Sequence, residues 1–221
     1  MNILVIGASR GIGLEFVRQY RAEGARVTAT ARSAEGLERL RALGATALSL
    51  DVADAASASA LGGQLGGAAF DVAIVNAGVS GARVGALEPP DEANFDLVMR
   101  TNVLGPMRVI PQVVEALAPS AKVAVLSSLM GSIGARTSAG SSLYRASKAA
   151  VNSVMKDASL GPAGRAIVVS LHPGWVRTDM GGSGADIDVE TSVAGMRSVI
   201  TGLSARDTGS FFNYDGKAIA W

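Results

Sequence analysis

The sequence predicts an α/β fold with a doubly wound parallel β-sheet of about seven strands and helices on both faces. Short apolar segments alternate with segments of helical periodicity along all 221 residues. The apolar segments are continuous, as in parallel strands that are covered on both sides. No linker, repeat or change of composition interrupts this alternation. We therefore expect one domain over residues 1–221.

The individual elements follow from local signals. Strands, each an apolar run bounded by polar residues or glycine, are expected at 2–6, 26–31, 46–50, 72–75, 123–126, 166–171 and 210–214. Helices, each with apolar residues three or four apart, are expected at 14–23, 34–43, 55–65, 92–117, 142–160 and 189–202. Serines and glycines weaken the third helix, and the fourth is expected to be interrupted near Gly105 and Pro106. Residues 178–188 are rich in glycine and are expected to be irregular.

The composition excludes several classes of protein. Because the chain has no cysteine, it can form no disulfide and no thiolate metal site. Its single histidine, His172, is expected to be structural. The sequence therefore predicts no bound metal. The net charge of +1 comes from scattered residues and indicates no nucleic-acid partner. No apolar run is long enough for a membrane helix, and residues 1–6 lack a basic leader. We expect a cytoplasmic protein without a membrane partner.

A glycine turn follows the first predicted strand. Gly7, Gly11 and Gly13 lie between that strand and the next helix. Glycines allow a tight bend and a close approach of the backbone to a pyrophosphate, which then lies at a helix N-terminus. The turn therefore predicts dinucleotide binding. A methyltransferase can share such a turn, but it usually has an acidic residue at the end of the second strand, where this chain has Ala31 and Arg32.

The end of the second strand also indicates which cofactor is used. A carboxylate there would accept a hydrogen bond from the ribose 2′-hydroxyl of NAD. Arg32 can instead bind the 2′-phosphate of NADP, and Arg10 in the glycine turn can reach the same region. The sequence thus favours NADP(H) over NAD(H). The alternative is that Arg32 is only a solvated charge at the end of a strand.

Tyr144 and Lys148 stand one helical turn apart in the helix predicted at 142–160, which Ser141 or Ser142 can cap. A free tyrosine has a pKa of about 10 and is a poor acid–base catalyst at neutral pH. A neighbouring ammonium lowers that pKa, so that the phenol can exchange a proton with a substrate oxygen. Taken alone, the spacing more often means a half-buried tyrosine and a solvated lysine.

Further motifs in the same order complete a resemblance to the classical short-chain dehydrogenases/reductases over nearly the whole chain. They are Gly7 to Gly13, Asn76-Ala77-Gly78, Asn102, Ser128, Tyr144-x-x-x-Lys148 and Pro173-Gly174-Trp175-Val176-Arg177-Thr178. Residues 170–182, 211–216 and 220–221 are similar to the C-factor and sniffer-type carbonyl reductase branch. The resemblance implies one NAD(P)-binding Rossmann domain that reduces an aldehyde or ketone with NADPH. The alternative that it implies is a C-factor-type signalling protein with little turnover.

The resemblance also implies roles for individual residues. Tyr144 would be the general acid, and Lys148 would lower its pKa and hold the nicotinamide ribose. Ser128, in preference to Ser127, would bind the carbonyl oxygen, and Asn102 would hold a water. Cofactor contacts are implied for Gly7, Ser9, Arg10, Gly11, Ile12, Gly13, Arg32, Asp51, Val52, Asn76, Ala77, Gly78, Tyr144, Lys148, Pro173, Gly174, Val176 and Thr178. Asp51 could equally be the N-cap of the following helix.

The substrate side is less specific. Its expected walls are Ser128, Leu129, Met130, Tyr144, Trp175 and Met180, with a substrate loop at 178–190. The resemblance implies a homodimer or homotetramer. Two departures from the family pattern are Ile6, where threonine is common and a hydrogen bond is expected to be lost, and a lengthened segment 132–143.

Overall fold

The computed structural model describes residues 1–161 and 166–221 and contains one seven-stranded sheet in the order β3-β2-β1-β4-β5-β6-β7. Every neighbouring pair of strands is parallel. The strands are β1 (Asn2–Ile6), β2 (Arg26–Ala31), β3 (Thr46–Ser49), β4 (Phe70–Val75), β5 (Leu117–Leu126), β6 (Ile167–His172) and β7 (Ser210–Asn213). The predicted doubly wound α/β fold is confirmed.

The helices occupy the segments between the strands. They are α1 (Gly11–Ala22), α2 (Ala34–Ala42), α3 (Ala55–Ser59), α4 (Leu61–Leu65), α5 (Glu92–Met99), α6 (Gly105–Glu115), α7 (Ser142–Leu160) and α8 (Val189–Gly202). The helix predicted at 55–65 is therefore two short helices. The helix predicted at 92–117 is divided by a π-helical turn, Arg100–Leu104, that ends at the expected Gly105. Residue 117 begins β5 and does not end a helix.

Local capping explains four of the eight helix starts among the described residues. Ser33, Asp54, Asp91 and Asp188 each accept a hydrogen bond from the backbone N–H three residues later. The predicted serine cap of α7 was wrong, although the bounds of this helix agree with the prediction. Ser141 adopts a left-handed conformation, and its side chain caps no N–H among the described residues. The Ser142 hydroxyl donates instead to the carbonyl oxygen of Gly85. The start of α7 is therefore held by the loop that follows β4.

Two apolar layers cover the sheet, one on each face. Ile3 and Val5 point into the layer formed with α1, α2 and α8, while Leu4 and Ile6 point into the layer formed with α3, α4, α6 and α7. Because successive strand residues face opposite sides, a strand covered on both sides must be apolar throughout. This arrangement accounts for the continuous apolar run of β1. From β1 the strand order runs through β2 and β3 to one sheet edge, and from β4 to β7 to the other edge. Ligands of such folds bind at the carboxyl ends of the strands where the strand order reverses, here between β1 and β4.

No helix within the described residues is both long and apolar enough to cross a lipid bilayer.

Candidate active site

A cleft of about 550 Å³ lies at the carboxyl ends of the central strands. It brings together most of the residues that the sequence predicts for a cofactor. The predicted residues that line it are Gly7, Ser9, Arg10, Gly11, Ile12, Arg32, Asp51, Val52, Asn76, Ala77, Gly78, Tyr144, Lys148, Pro173, Thr178 and Met180. Thr30, Arg39, Thr101 and Asp179 also line it and were not predicted.

The glycine turn is packed too closely for side chains. Gly7 has a positive φ of 82°, and a β-carbon there would lie 2.6 Å from the Cα of Ala77. A β-carbon on Gly13 would collide with the carbonyl oxygen of Gly7. Both positions therefore require glycine. The N-terminus of α1 follows directly; no side chain in the described part of the chain caps it, and its first turn contains no acidic residue, as suits an anion there.

Side chains from two neighbouring strands hold this turn. Asn76, at the end of β4, donates from Nδ2 to the carbonyl oxygen of Gly7. Thr30 on β2 accepts a hydrogen bond from the Gly7 N–H at 3.0 Å. Ile6 is fully buried in the core. The hydroxyl contact of the turn thus comes from Thr30, which no local pattern around Gly7 reveals.

Four arginines line the cleft, and Arg10, Arg32 and Arg39 among them each face a carboxylate. Arg10 Nη1 lies 2.5 Å from Asp179 Oδ2, Arg32 Nη1 lies 3.9 Å from Asp51, and Arg39 Nη2 lies 3.0 Å from Glu35. These pairs are largely exposed, so each stabilises the fold by little. Arg39 was not predicted to line the cleft, because its spacing from Glu35 is that of an ordinary helical ion pair.

Asp51 is not the N-cap of the following helix, a role that the sequence left open. Its Oδ1 accepts from the N–H of Ala53 at 2.9 Å, whereas Asp54 caps α3. The interpretation of Asp51 as the helix cap was therefore wrong. Its carboxylate lines the cleft opposite Arg32.

Tyr144 lies in the first turn of α7, beside Ser128, the residue that follows the end of β5 by two positions. The Ser128 hydroxyl is close enough to the phenol to lower the pKa of Tyr144. The Ser128 Oγ also accepts from the N–H of Met130 at 3.1 Å. Ser127 lines the cleft too, but its hydroxyl donates to the carbonyl oxygen of Lys148. The geometry thus pairs Tyr144 with Ser128, as preferred from the sequence.

Lys148 is 5% exposed and lies below the ring of Tyr144, with Nζ 5.8 Å from the ring centroid. Its ammonium donates to the carbonyl oxygen of Leu126 at 2.8 Å. Burial lowers the pKa of Lys148 to about 8. Burial also raises the pKa of Tyr144, and the neighbouring Ser128 hydroxyl opposes that rise. The predicted lowering of the tyrosine pKa is therefore not found here, because desolvation outweighs the favourable contact and the ammonium points to Leu126.

Asn102 lies in the π-helical turn and is 1% exposed. Its Oδ1 accepts from the N–H of Val79, and its Nδ2 donates to the Val79 carbonyl oxygen and to Ser147 Oγ. The Ser147 hydroxyl in turn donates to the carbonyl oxygen of Tyr144 at 2.8 Å. Asn102 therefore connects the loop after β4 with the turn of α7 that carries Tyr144. Ser147 was missed because a buried serine within a helix has no distinguishing sequence pattern.

The predicted substrate residues do not form one wall. Met180 lines the main cleft, whereas Leu129 and Trp175 line a second pocket beside it. Among the described residues, Met130 lines neither, and Gly13, Asn102, Ser128, Gly174 and Val176 lie outside the lining of the main cleft. The segment 178–188 is irregular, as predicted. Two contacts join it to the preceding residues: Val176 forms a parallel β-bridge with Ile187, and the Trp175 indole N–H donates to the Gly181 carbonyl oxygen.

The described ranges contain no group of three histidine, aspartate or glutamate side chains that could hold a metal ion.

Comparisons with known proteins agree with this geometry. The family model of the short chain dehydrogenases matches residues 1–186. The C-signal protein of Myxococcus xanthus is 44% identical over 155 residues, which cover 68% of this chain and 92% of that protein. A short-chain dehydrogenase/reductase from Burkholderia multivorans with bound NADP superimposes with a TM-score of 0.90 at 30% identity, covering 100% of this chain and 99% of its own. The NADPH-bound carbonyl reductase from chicken fatty liver gives a TM-score of 0.88 at 33% identity, covering 100% and 98%. This chain therefore belongs to the short-chain dehydrogenase family of oxidoreductases, in its C-factor and carbonyl reductase branch.

Proposed function

We propose that this protein is an NADPH-dependent carbonyl reductase that converts an aldehyde or ketone to an alcohol. The observation that carries the proposal is the placement of Tyr144 beside the Ser128 hydroxyl, with Lys148 Nζ 5.8 Å from the centroid of the same ring, in a cleft that begins at the glycine turn. An acid next to an oxyanion-binding hydroxyl is the arrangement that carbonyl reduction requires.

The cleft suits a dinucleotide on its own geometry. Gly7 and Gly11 line the cleft without side chains, and the N-terminus of α1 begins at the same place, with Gly11 and Ile12 in the lining. Arg10, Arg32 and Arg39 provide positive charge for a 2′-phosphate. The two structural relatives described above contain NADP or NADPH. When bound, the reduced nicotinamide would supply the hydride, with Val176 and Thr178 at its carboxamide and Pro173 and Gly174 among the other cofactor contacts.

Tyr144 would act as the general acid. Because its pKa is raised, the phenol carries its proton at neutral pH, which is the form needed to protonate the carbonyl oxygen as the carbon is reduced. The Ser128 hydroxyl would donate a hydrogen bond to that oxygen while charge develops on it. The Lys148 ammonium would then stabilise the phenolate that remains. Asn102 completes the proposed set by holding Ser147 and thereby the turn that carries Tyr144.

A replacement of Tyr144 by phenylalanine tests this assignment. Tyr144→Phe removes only the acidic hydroxyl, so kcat for NADPH oxidation with an aldehyde should fall by at least about a hundredfold. NADPH binding, followed by titration, should remain. The matched control is Tyr20→Phe, because Tyr20 is stacked on Phe16 in the core and lies away from the cleft. A Tyr144→Phe protein that turns over at the normal rate would refute the catalytic role.

The similarity to C-signal supports a second candidate, a nucleotide-binding signalling protein with little turnover. The two functions differ in one measurement. The wild-type protein, saturated with NADPH, would reduce no member of a broad aldehyde and ketone panel if signalling were its function, while its melting temperature would still rise with NADPH.

We also propose a homodimer or homotetramer. Phe95, Leu97 and Met107 on α5 and α6 are about half exposed, and exposed large apolar side chains can mark a protein–protein interface. A Leu97→Glu variant should dissociate the assembly in light scattering after size exclusion. A wild-type protein that is monomeric at all concentrations would refute this proposal.

A further inference from the structure

Residues 217–221 fold back along the outer edge of β7 and form what we name the C-terminal strap. The Ile219 N–H donates to the carbonyl oxygen of Phe211 at 2.8 Å, next to an antiparallel bridge between the strap and β7. The ring of Trp221 stacks on the buried ring of Phe211, with 5.5 Å between the two centroids. The strap is therefore fixed to the edge of the sheet by its backbone and by the Trp221 side chain.

The carbonyl oxygen of Trp221 lies against the backbone of residues 132–135, which follow the turn after β5. The N–H groups of Ile133 and Gly134 donate to this oxygen at 2.8 and 3.0 Å. Consecutive backbone N–H groups that converge on one oxygen make a favourable site for negative charge. A β-carbon on Gly134 would lie 3.3 Å from the β-carbon of Ala220, so the two backbones are in close contact. The strap is thus held at β7 and again beside residues 132–135.

Ser132 connects the strap with the turn that follows Ser128. It is fully buried, and its Oγ donates to the carbonyl oxygen of Ala220 at 2.5 Å and accepts from the Ala135 N–H at 2.9 Å. The Ser132 N–H donates to the carbonyl oxygen of Leu129 at 3.0 Å. The side chain of Ser132 therefore contacts the strap, while its backbone closes the turn.

The turn in its own right fixes the Ser128 hydroxyl. Ser128 Oγ accepts from the Met130 N–H at 3.1 Å, and the Ser128 carbonyl oxygen accepts from the Gly131 N–H at 2.8 Å. Because the Met130 N–H uses one acceptor position of Oγ, the hydroxyl proton can be donated to a substrate oxygen. A β-carbon on Gly131 would lie 2.7 Å from the carbonyl carbon of Lys148, so the turn also packs directly on α7.

We propose that the C-terminal strap positions the Ser128 hydroxyl, with Ser132 and Trp221 as positioning residues that act through the turn Leu129–Gly131. The inference rests on the proposed carbonyl reductase function, in which Ser128 binds the carbonyl oxygen. A misplacement of about 1 Å at a catalytic site can cost on the order of a hundredfold in rate. Neither Ser132 nor Trp221 lines the main cleft, so displacement of the strap should lower kcat and leave NADPH binding unchanged.

Removing the tryptophan ring tests the strap. Trp221→Ala abolishes the stack on Phe211, so kcat for benzaldehyde should fall at least about fivefold, while the Kd for NADPH stays as in the wild-type protein. Trp221→Phe keeps an aromatic ring there and should retain most of kcat. Leu160→Ala, at the exposed end of α7, is the control for shortening a large apolar side chain at the surface. A wild-type kcat in Trp221→Ala would overturn the proposal.

A double substitution tests whether both residues act through the same turn. Ser132→Ala removes the hydroxyl that reaches Ala220, and it should lower kcat by a factor similar to that of Trp221→Ala. The double variant should lose little more than the larger single loss, because residues that act through one contact are not additive. A double loss equal to the product of the two single factors would refute the shared path.

Amide hydrogen exchange separates this inference from the proposed function, because it requires no turnover. In Trp221→Ala the N–H groups of Met130 and Gly131 should exchange at least about tenfold faster, whereas those of β1 should exchange as in the wild-type protein. This result would support the strap even if the wild-type protein reduced no carbonyl compound. Exchange at the wild-type rate in all of these groups would refute the strap while leaving the reductase function intact.

Discussion

The guanidinium of Arg10 lies 2.5 Å from the carboxylate of Asp179 and thereby joins the glycine turn to the start of the proposed substrate loop at 178–190. The two residues are 169 positions apart in the chain. Arg10 is also one of the cations proposed for the 2′-phosphate of NADPH. On that proposal the carboxylate and the phosphate would compete for one guanidinium, and cofactor binding would be coupled to the loop.

Removing this competing carboxylate should strengthen NADPH binding. Asp179→Asn keeps the shape of the side chain but frees Arg10, so the Kd for NADPH should fall about two- to fivefold, as expected for an exposed ion pair. The Kd for NADH should not change. Asp186→Asn, at an exposed position of the same loop, is the control for the general effect of removing one negative charge. An equal gain for NADPH and NADH would contradict the competition.

Arg32 should carry part of the cofactor preference. Arg32→Glu places a carboxylate where the 2′-phosphate is proposed to lie, so the preference for NADPH over NADH should fall by at least about tenfold, measured as the ratio of the two Kd values. Arg26→Glu makes the same charge change at the exposed, opposite end of β2 and should leave the ratio unaltered. A retained NADPH preference in Arg32→Glu would mean that Arg32 is only a solvated charge.

The buried Lys148 should make stability depend on pH. Its pKa is lowered from 10.5 to about 8 in the folded protein, so between these values the unfolded state binds more protons and the folded state is favoured as pH rises. The free energy of unfolding in urea should increase from pH 8 to pH 10. The difference of about 2.5 pH units corresponds to a total on the order of 3 kcal/mol.

Lys148→Met provides the comparison, because methionine keeps the apolar stem and removes the charge. Its unfolding free energy should lack this rise between pH 8 and pH 10. The comparison stops at pH 10 because the raised pKa of Tyr144 lowers stability at higher pH. Above about pH 10 the tyrosine of the unfolded state loses its proton before that of the folded state, so a further rise in pH favours unfolding. A rise of equal size in both proteins would show that other groups cause it.

Asn102 should matter for stability as well as for activity. Asn102→Ala leaves the N–H and carbonyl oxygen of Val79 and the hydroxyl of Ser147 without their buried partner. The free energy of unfolding should therefore fall by about 2–4 kcal/mol, measured by urea denaturation. Asn2→Ala removes an asparagine whose side-chain bond is exposed, and should change stability by less than about 1 kcal/mol. Similar losses in the two variants would contradict the bridging role.

Much of the fold and of the catalytic set follows from local sequence. The predicted bounds of β1, β2, α7 and α8 agree with the structure. Burial of one helix face produces a helical period of apolar residues, and burial of both strand faces produces a continuous apolar run, and both patterns can be read from the sequence. Gly7, Ser128, Tyr144 and Lys148 were identified by motif spacing, and the structure brings them to one cleft or its edge. Boundaries without a periodic signal were less accurate, as at the division of α3 from α4 and at the π-helical turn.

Three-dimensional contacts decided the remainder. Thr30 bonds to Gly7, Arg10 to Asp179 and Ser147 to Asn102, and each pair is separated by at least one complete element of the fold. The direction of the Tyr144 pKa depends on desolvation by the surrounding chain, and the second pocket depends on three segments that meet only after folding. The sequence alone determined the strand and helix pattern and the chemistry of the motif residues, because these depend on neighbours within a few positions. Only the tertiary structure decided the charge partners, the pKa values and the shape of the site, because these depend on distances between residues that are remote in the chain.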